Sequence, residues 1–455
     1  MTQVLEIQST KGEAIEKLNK ELKTWLEDVK EDHLGSPWMG KHDEGTFLTS
    51  WREYEMLTGD EALRHFALGM YNLSREYWKK KMPLGYYDKQ EVHHGVEHHT
   101  IFLAWILEMM PGNEEVKEQL RVAANHIVEK GKKKTEWLDP SGKRFKSTHL
   151  GTKHVGKDGL NIIEHLRLVR LAWLGLASGG NPRLKDFILD YSMEWAEAMV
   201  NDKEIPVYLD AETEEMARKE KQYKDALSSF MGAAPQEITP RSRAEIHVAN
   251  GSPGLFIQLH EATGKKIYLD AADRILERVK DQLFSPYAHP IGELLWKMHD
   301  LGRFPSLKGV ISPIVEAIPE LDSCTAELVP RTDWNAPEHS RLLYTVGIRR
   351  DMPELVILDG NKNKVPAPPS PGTLVLVSRL LGDDAYQTLA LEIARITLLE
   401  ARRLFLDGRM HGCGSESVLA TCVGHGRNWG AGYVSTAMRG MLLGIDFGIT
   451  LPRIK

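Results

Sequence analysis

Residues 252–283, SPGLFIQLHEATGKKIYLDAADRILERVKDQL, decide the fold. An apolar segment of about four turns runs into a turn at Gly264, and a second segment follows whose apolar residues recur every three and four positions. That is the grammar of two helices folded back on each other as an αα-hairpin. GTFLTSWREYEMLTGDEALRHFALGMYNLSREYW (45–78) repeats it around Gly59. Stretches 99–130, 168–200 and 373–405 repeat it again, with turn glycines at Gly112, Gly180 and Gly382. The wide interval between Gly264 and Gly382 leaves room for one more hairpin, expected around 323–349.

A repeated hairpin cannot bury its apolar face alone and must stack on its neighbours. The chain therefore reads as one all-α domain over residues 1–455, an (α/α)6 toroid or a ring of seven hairpins, closed by pairing the amphipathic segment 10–30 with 431–445. An open solenoid is the competing arrangement, disfavoured by the unequal connections. Strand signals are short: IPVYLD (205–210) and VILDG (356–360) read as β-ribbons on loops.

Composition narrows the partners. The 455 residues carry 58 Lys and Arg against 64 Asp and Glu, a formal charge of −6, with 42% hydrophobic and 27% charged residues. Disordered, collagen-like and coiled-coil classes are excluded. The basic runs at 79–81 and 130–134 fall at the ends of second helices, where cations suit the helix dipole, so no surface is set aside for nucleic acid or an anionic membrane. No apolar run approaches a membrane span, and three cysteines, Cys324, Cys413 and Cys422, make no disulfide framework. The expected compartment is the cytoplasm, or the periplasm or exterior if a signal peptide was removed. Homo-oligomers remain open, the charged stretch 212–225 being one contact candidate.

The chemistry lies in long connections that precede the first helix of each hairpin, which a closed ring would gather at one end. Most of the 18 His fall there, more than packing calls for. In EIHVANG, His247 and Asn250 share a face if the segment is helical, with Glu245 and Arg243 beside them. Near the C-terminus, GHGRNWGAGY presents His425, Arg427, Asn428, Trp429 and Tyr433. His42, Asp43, Glu97, His98 and His165 complete the polar candidates, and Trp38, Tyr86, Tyr87 and Trp334 join Trp429 as exposed-aromatic candidates. The segment His94-Gly-Val-Glu97-His98 has the H-x-x-E-H spacing of inverted zinc peptidases, so a divalent metal held by His94 and His98 is the one cofactor considered. No cofactor is required by the sequence.

The phrase GLFIQLHEATGKKIYLDAADRIL, the hairpin count and the His, Trp and Asn rich loops resemble the six-hairpin glycosidase superfamily, the toroids of many glycoside hydrolases and polysaccharide lyases. The resemblance covers most of the chain as architecture and fixes no single family. It implies a saccharide partner in a groove across the wide end, with Trp38, His42, His94, His165, Arg243, Trp334, His425, Asn428 and Trp429 binding it. β-Elimination on a uronate would need a neutraliser (Asn250, Arg427), a base (His247 or His98) and an acid (Tyr433). Hydrolysis would need two carboxyls drawn from Asp43, Glu44, Glu97, Glu245, Glu327 and Glu416. A dehydratase or isomerase acting on a non-sugar alcohol is a third reading, and a non-catalytic helical scaffold a fourth.

Overall fold

The computed structural model describes residues 5–6, 10–34, 48–49, 51–90, 92–129, 137–139, 141–151, 161–209, 240–284, 289–318, 325–329, 354–358, 361, 363 and 371–405. It is mostly helical. In chain order the elements are β1 (Leu5–Glu6), α1 (Lys11–Leu34), α2 (Arg52–Thr58), α3 (Glu61–Lys81) and α4 (Val92–Glu97), then a π-helical stretch His98–Leu103 that continues into α5 (Ala104–Met109). There follow α6 (Glu114–Val128), a 3-10 turn Ile163–His165, α7 (Leu166–Ala177), α8 (Arg183–Asn201), α9 (Pro240–Ala249), α10 (Ser252–Thr263) and α11 (Lys266–Glu277). The last are α12 (His289–Asp300), α13 (Leu307–Ala317), β2 (Thr325–Val329), β3 (Glu354–Leu358), α14 (Pro371–Leu381) and α15 (Asp384–Phe405).

The expected hairpins are present as helix pairs. Gly59, Gly264 and Gly382 take left-handed φ between their helices, the conformation that lets a helix end and the chain reverse without a Cβ penalty. In the 168–200 hairpin the left-handed residue is Gly179, one position before the expected Gly180. Gly180 has a different duty: a Cβ there would meet the Gly175 carbonyl at 2.7 Å. A further helix pair, α12 and α13, turns at Gly302 and spans 289–317, while of the expected 323–349 only residues 325–329 are described. Three prolines, Pro290, Pro305 and Pro313, disguise its periodicity, and residues 325–329 are a strand.

Burial distinguishes the two helices of a pair. Every residue of α7 from Leu166 to Gly175 is buried, as is every residue of α10 from Ser252 to Leu259 and of α14 from Pro371 to Ser378. Their partners are one-sided. α8 buries Leu184, Ile188, Tyr191, Trp195 and Met199, and α6 buries Val116, Leu120, Ala123, Ala124 and Ile127, each at helical spacing. Over these spans the first helices α7, α10 and α14 are thus covered all round, while the second helices α6 and α8 keep a wet face. Each large apolar side chain so buried contributes about 1.5–3 kcal/mol.

The chain divides into two compact units, Met1–Pro37 with Ser50–Phe66 and Leu276–Asp446, and Trp38–Thr49 with Ala67–Ile275 and Phe447–Lys455. In the first, α1 packs on α15, with Lys11 reaching Asp384 at 3.4 Å and Lys17 reaching the buried Glu392 at 3.6 Å. Residues 431–445, the expected partner of α1, lie outside the described residues. The same unit holds an antiparallel sheet in the order β1-β2-β3, with Ala326 opposite Leu5 on one side and Ile357 on the other. In the second, α7 packs between α6 and α8.

Close backbone approach pins α12 to α14. A Cβ on Gly292 would lie 2.6 Å from the Gly372 carbonyl oxygen, and backbone cannot swing aside. Gly292→Ala should therefore cost about 1–3 kcal/mol in chemical denaturation. Gly309→Ala, in α13 with nothing within 4 Å, should be neutral or gain up to about 1 kcal/mol.

Candidate functional site

The second unit gathers charged and polar side chains from the starts of three successive first helices. Glu97 ends α4 and is fully buried. Arg167, on the first turn of α7 and 2% exposed, places Nη1 3.6 Å from Glu97 Oε1 and donates Nε–H to Asn250 Oδ1 at 2.9 Å. Asn250, in the turn between α9 and α10, donates Nδ2–H to the Ile163 carbonyl at 2.9 Å and to Ser252 Oγ at 3.2 Å. One guanidinium therefore joins three repeats. A buried charge is tolerated only when paired and hydrogen-bonded, and both conditions hold for this one.

The histidines around the cluster have a shared role. His99 Nε2 lies 3.1 Å from the Gly85 carbonyl, His126 Nε2 2.8 Å from that of Leu84, His165 Nε2 3.0 Å from that of Ser147, and His247 Nε2 2.7 Å from that of Pro206. Each imidazole donates to a carbonyl on a connection between helices. His165 uses both nitrogens, because Nδ1 also accepts the Ile162 N–H at 3.0 Å, which makes it the neutral tautomer protonated on Nε2. Burial among apolar groups pushes His99 and His247 down to about 4 and lowers His165, so all three are neutral at neutral pH. His247 Nδ1 is buried without a partner.

His165 and His247 hold opposite sides of one ribbon. Ile162 bridges Tyr208, Ile163 N–H donates to the Val207 carbonyl at 3.3 Å, and Leu209 N–H donates to that of Asn161 at 3.2 Å. Arg243 Nη1 adds a bond to the Ile205 carbonyl at 3.1 Å. The ribbon thus rests on Asn250 through Ile163 and is pinned by two imidazoles and a guanidinium.

His98 opens the π-helical stretch, its ring 4.2 Å from that of Trp78 and 5.1 Å from that of His99. A π insertion of this kind is frequent where a helix must aim a functional side chain. The α-helical spacing that H-x-x-E-H assumes stops at Glu97, and among the described residues no three His, Cys, Asp or Glu side chains converge as metal ligands. Tyr86 is fully buried, edge-on to His126 and Trp137, and belongs to the core.

Of the sequence candidates, the structure brings together Glu97, Asn250, His165, His247 and Arg243 around the ribbon and the Arg167 cluster. The side chains of His94 and Glu245, within α4 and α9, lie outside the described residues. So do Trp38, His42, Asp43, Trp334, His425, Arg427, Asn428, Trp429 and Tyr433. Arg167 was missed, and its signal was available: an arginine in the otherwise apolar phrase LRLVRLAWLGLA requires a partner. The second unit also holds a cleft of ≈ 540 Å³ between the end of α6, residues 138–139 and 141–143, and α8, lined by Glu129, Asp139, Asp186, Asp190 and Glu194 among others, and by none of the sequence candidates.

Compared with models of known protein families, with curated proteins and with solved structures, the chain matches none. Arg167→Met, which removes the guanidinium beside the buried Glu97, should cost about 3–5 kcal/mol in denaturant titration. Glu97→Gln in the same chain should recover a substantial part of that loss. Strict additivity of the two changes would mean that the charges do not interact.

Proposed function

We propose that this protein is a carbohydrate-active enzyme of toroidal αα-hairpin architecture that cleaves glycosidic bonds in an acidic, uronate-containing saccharide by β-elimination. The observation that carries the reading is Arg167, a buried guanidinium that already faces a carboxylate, that of Glu97 at 3.6 Å, and is oriented by donating Nε–H to Asn250. A uronate carboxylate needs a cationic donor of this kind before its C5 proton can be removed. His247 supports the base role: Nε2–H is fixed on the Pro206 carbonyl, and the Nδ1 lone pair of a neutral imidazole is left without a partner. The covered first helices α7 and α10 beside the one-sided second helix α8 support the two-layer ring.

In this mechanism Arg167, held in place by Asn250, would draw charge from the carboxylate, lowering the barrier to carbanion formation at C5. His247 would take the proton, and Tyr433, whose position lies outside the described residues, would donate one to the leaving oxygen. Hydrolysis by a carboxyl pair is the second reading. It is favoured by Glu97, a buried carboxylate already in the cluster, and would make Arg167 its orienting partner.

Digestion of a panel of uronate polymers tests the choice. Elimination yields the ultraviolet absorbance of an unsaturated uronate in step with new reducing ends, whereas reducing ends without absorbance would assign hydrolysis. His247→Gln retains a donor for the Pro206 carbonyl but no base, and should lower turnover by roughly 10²-fold. A change in KM alone would reassign His247 to binding.

A further inference from the structure

We propose that Arg243 is a positioning residue for His247: by holding the Ile205 carbonyl it sets the next one, that of Pro206, against Nε2 and so selects the imidazole tautomer with its lone pair on Nδ1. What that lone pair is used for rests on the functional reading above, whereas the choice of tautomer does not. Arg243 is expected from the sequence to bind saccharide. Its Nη1 instead serves the backbone beside the proposed base.

The sequence creates the need. Ile205 and Pro206 are both buried, and Pro206 has no N–H with which to tie the segment to a neighbour. A buried carbonyl left without a donor costs about 1–3 kcal/mol. α9 supplies donors to two successive carbonyls from one face. Arg243 and His247 stand four residues apart, about 6 Å along the helix axis, and donate to Ile205 at 3.1 Å and to Pro206 at 2.7 Å. The two bonds are mechanically linked. The peptide joining Ile205 to Pro206 is planar and the proline ring locks φ at about −65°, so ψ of Pro206 is the single soft torsion between the two carbonyls. A guanidinium that fixes the first therefore aims the second.

The tautomer follows from the second bond. A carbonyl only accepts, so the Pro206 contact places the proton on Nε2 and leaves Nδ1, which is buried and has no hydrogen-bond partner, as the basic nitrogen. The same guanidinium also opposes a charge on the ring. Burial pushes His247 down to about 4, the Pro206 bond acts in the opposite direction, and Arg243 lowers it further. The Trp195 ring of α8, at 6.2 Å, and the Pro206 carbonyl carry no net charge to offset this. Arg243 thus acts twice on one imidazole, through the backbone on its tautomer and through space on its charge.

¹⁵N imidazole shifts of the full chain at neutral pH, recorded without substrate, test this. In the wild type His247 should be the pure Nε2–H tautomer. Arg243→Met removes the donor, and His247 should then become a mixture of the two neutral tautomers, while His165 keeps its own Nε2–H form and reports that the ribbon still stands. Arg243→Lys, which keeps a donor and a charge, should restore the single tautomer. On a uronate polymer Arg243→Met should lower turnover roughly tenfold with KM little changed, because the base is misaligned. A pure Nε2–H His247 in Arg243→Met overturns the proposal, and a raised KM at unchanged tautomer does so by assigning Arg243 to saccharide binding. Loss of the His165 pattern together with that of His247 also overturns it, since Arg243 would then support the whole ribbon. If Arg243→Met does not fold, Arg243→Gln is read in the same way: its amide is too short to hold Ile205 from the same place, so mixed tautomers support the proposal and a pure one refutes it. The spectra use no substrate. Absence of uronate cleavage therefore leaves this inference standing, and an unaltered tautomer in the variants leaves the glycosidic reading standing.

Discussion

A carbonyl group withdrawn from water needs a donor, and in this protein that requirement is concentrated in the connections between helices. Helices satisfy their own backbone, whereas the connections carry carbonyls, those of Leu84, Gly85, Ser147 and Pro206 among them, that each meet an imidazole. A neutral imidazole is well suited to the task. It is apolar enough to be buried, flat enough to stack on Phe145 or approach Trp78, and carries one N–H on a ring whose direction is fixed by packing. For these four histidines the choice of residue is therefore in the first place a consequence of architecture. The chemistry of a site is laid over groups that the fold already needs.

Arg167 shows the same economy with charge. A guanidinium on the first turn of a helix that is otherwise apolar all round would be ruinous if unpaired. Here it binds a carboxylate from the preceding repeat and an amide from the following one, so that three repeats must be in register for any of the three side chains to be satisfied. The energetic yield over a well-packed hydrocarbon is small, and what the arrangement supplies is specificity of stacking.

The hairpins were legible in the sequence because their signal is local: period, turn glycine, period. Gly59, Gly264 and Gly382 are read in the same way in the chain and in space. The pair at 289–317 was hidden because Pro290 and Pro305 stand at the places where a helix start and its cap are recognised, and Pro313 stands inside the second helix. The candidate cluster was half legible. His247, Asn250 and Glu97 are conspicuous within short polar phrases, whereas Arg167 is surrounded by leucine and shows its importance only once its burial is known. No spacing rule could report that His165 is committed to Ser147 and Ile162, since those bonds depend on how a loop crosses a helix, a long-range property. For Asp43, Trp38 and the 425–433 phrase the comparison ends at the sequence, as they lie outside the described residues.

The π-helical stretch His98–Leu103 makes this segment a phase slip. A π turn takes up one more residue than an α turn, so positions after Leu103 are rotated by about 100° relative to the α-helical phase that leads up to Glu97. A helical wheel drawn straight through from Val92 to Met109 therefore assigns the wrong neighbours to everything on one side of the slip. The insertion lets Glu97 point to Arg167 while Phe102, Trp105 and Ile106 still end in the hydrocarbon interior, two orientations that a regular helix would have to trade against each other. A single-residue deletion here would not shorten a loop. It would turn one half of a buried helix against the other.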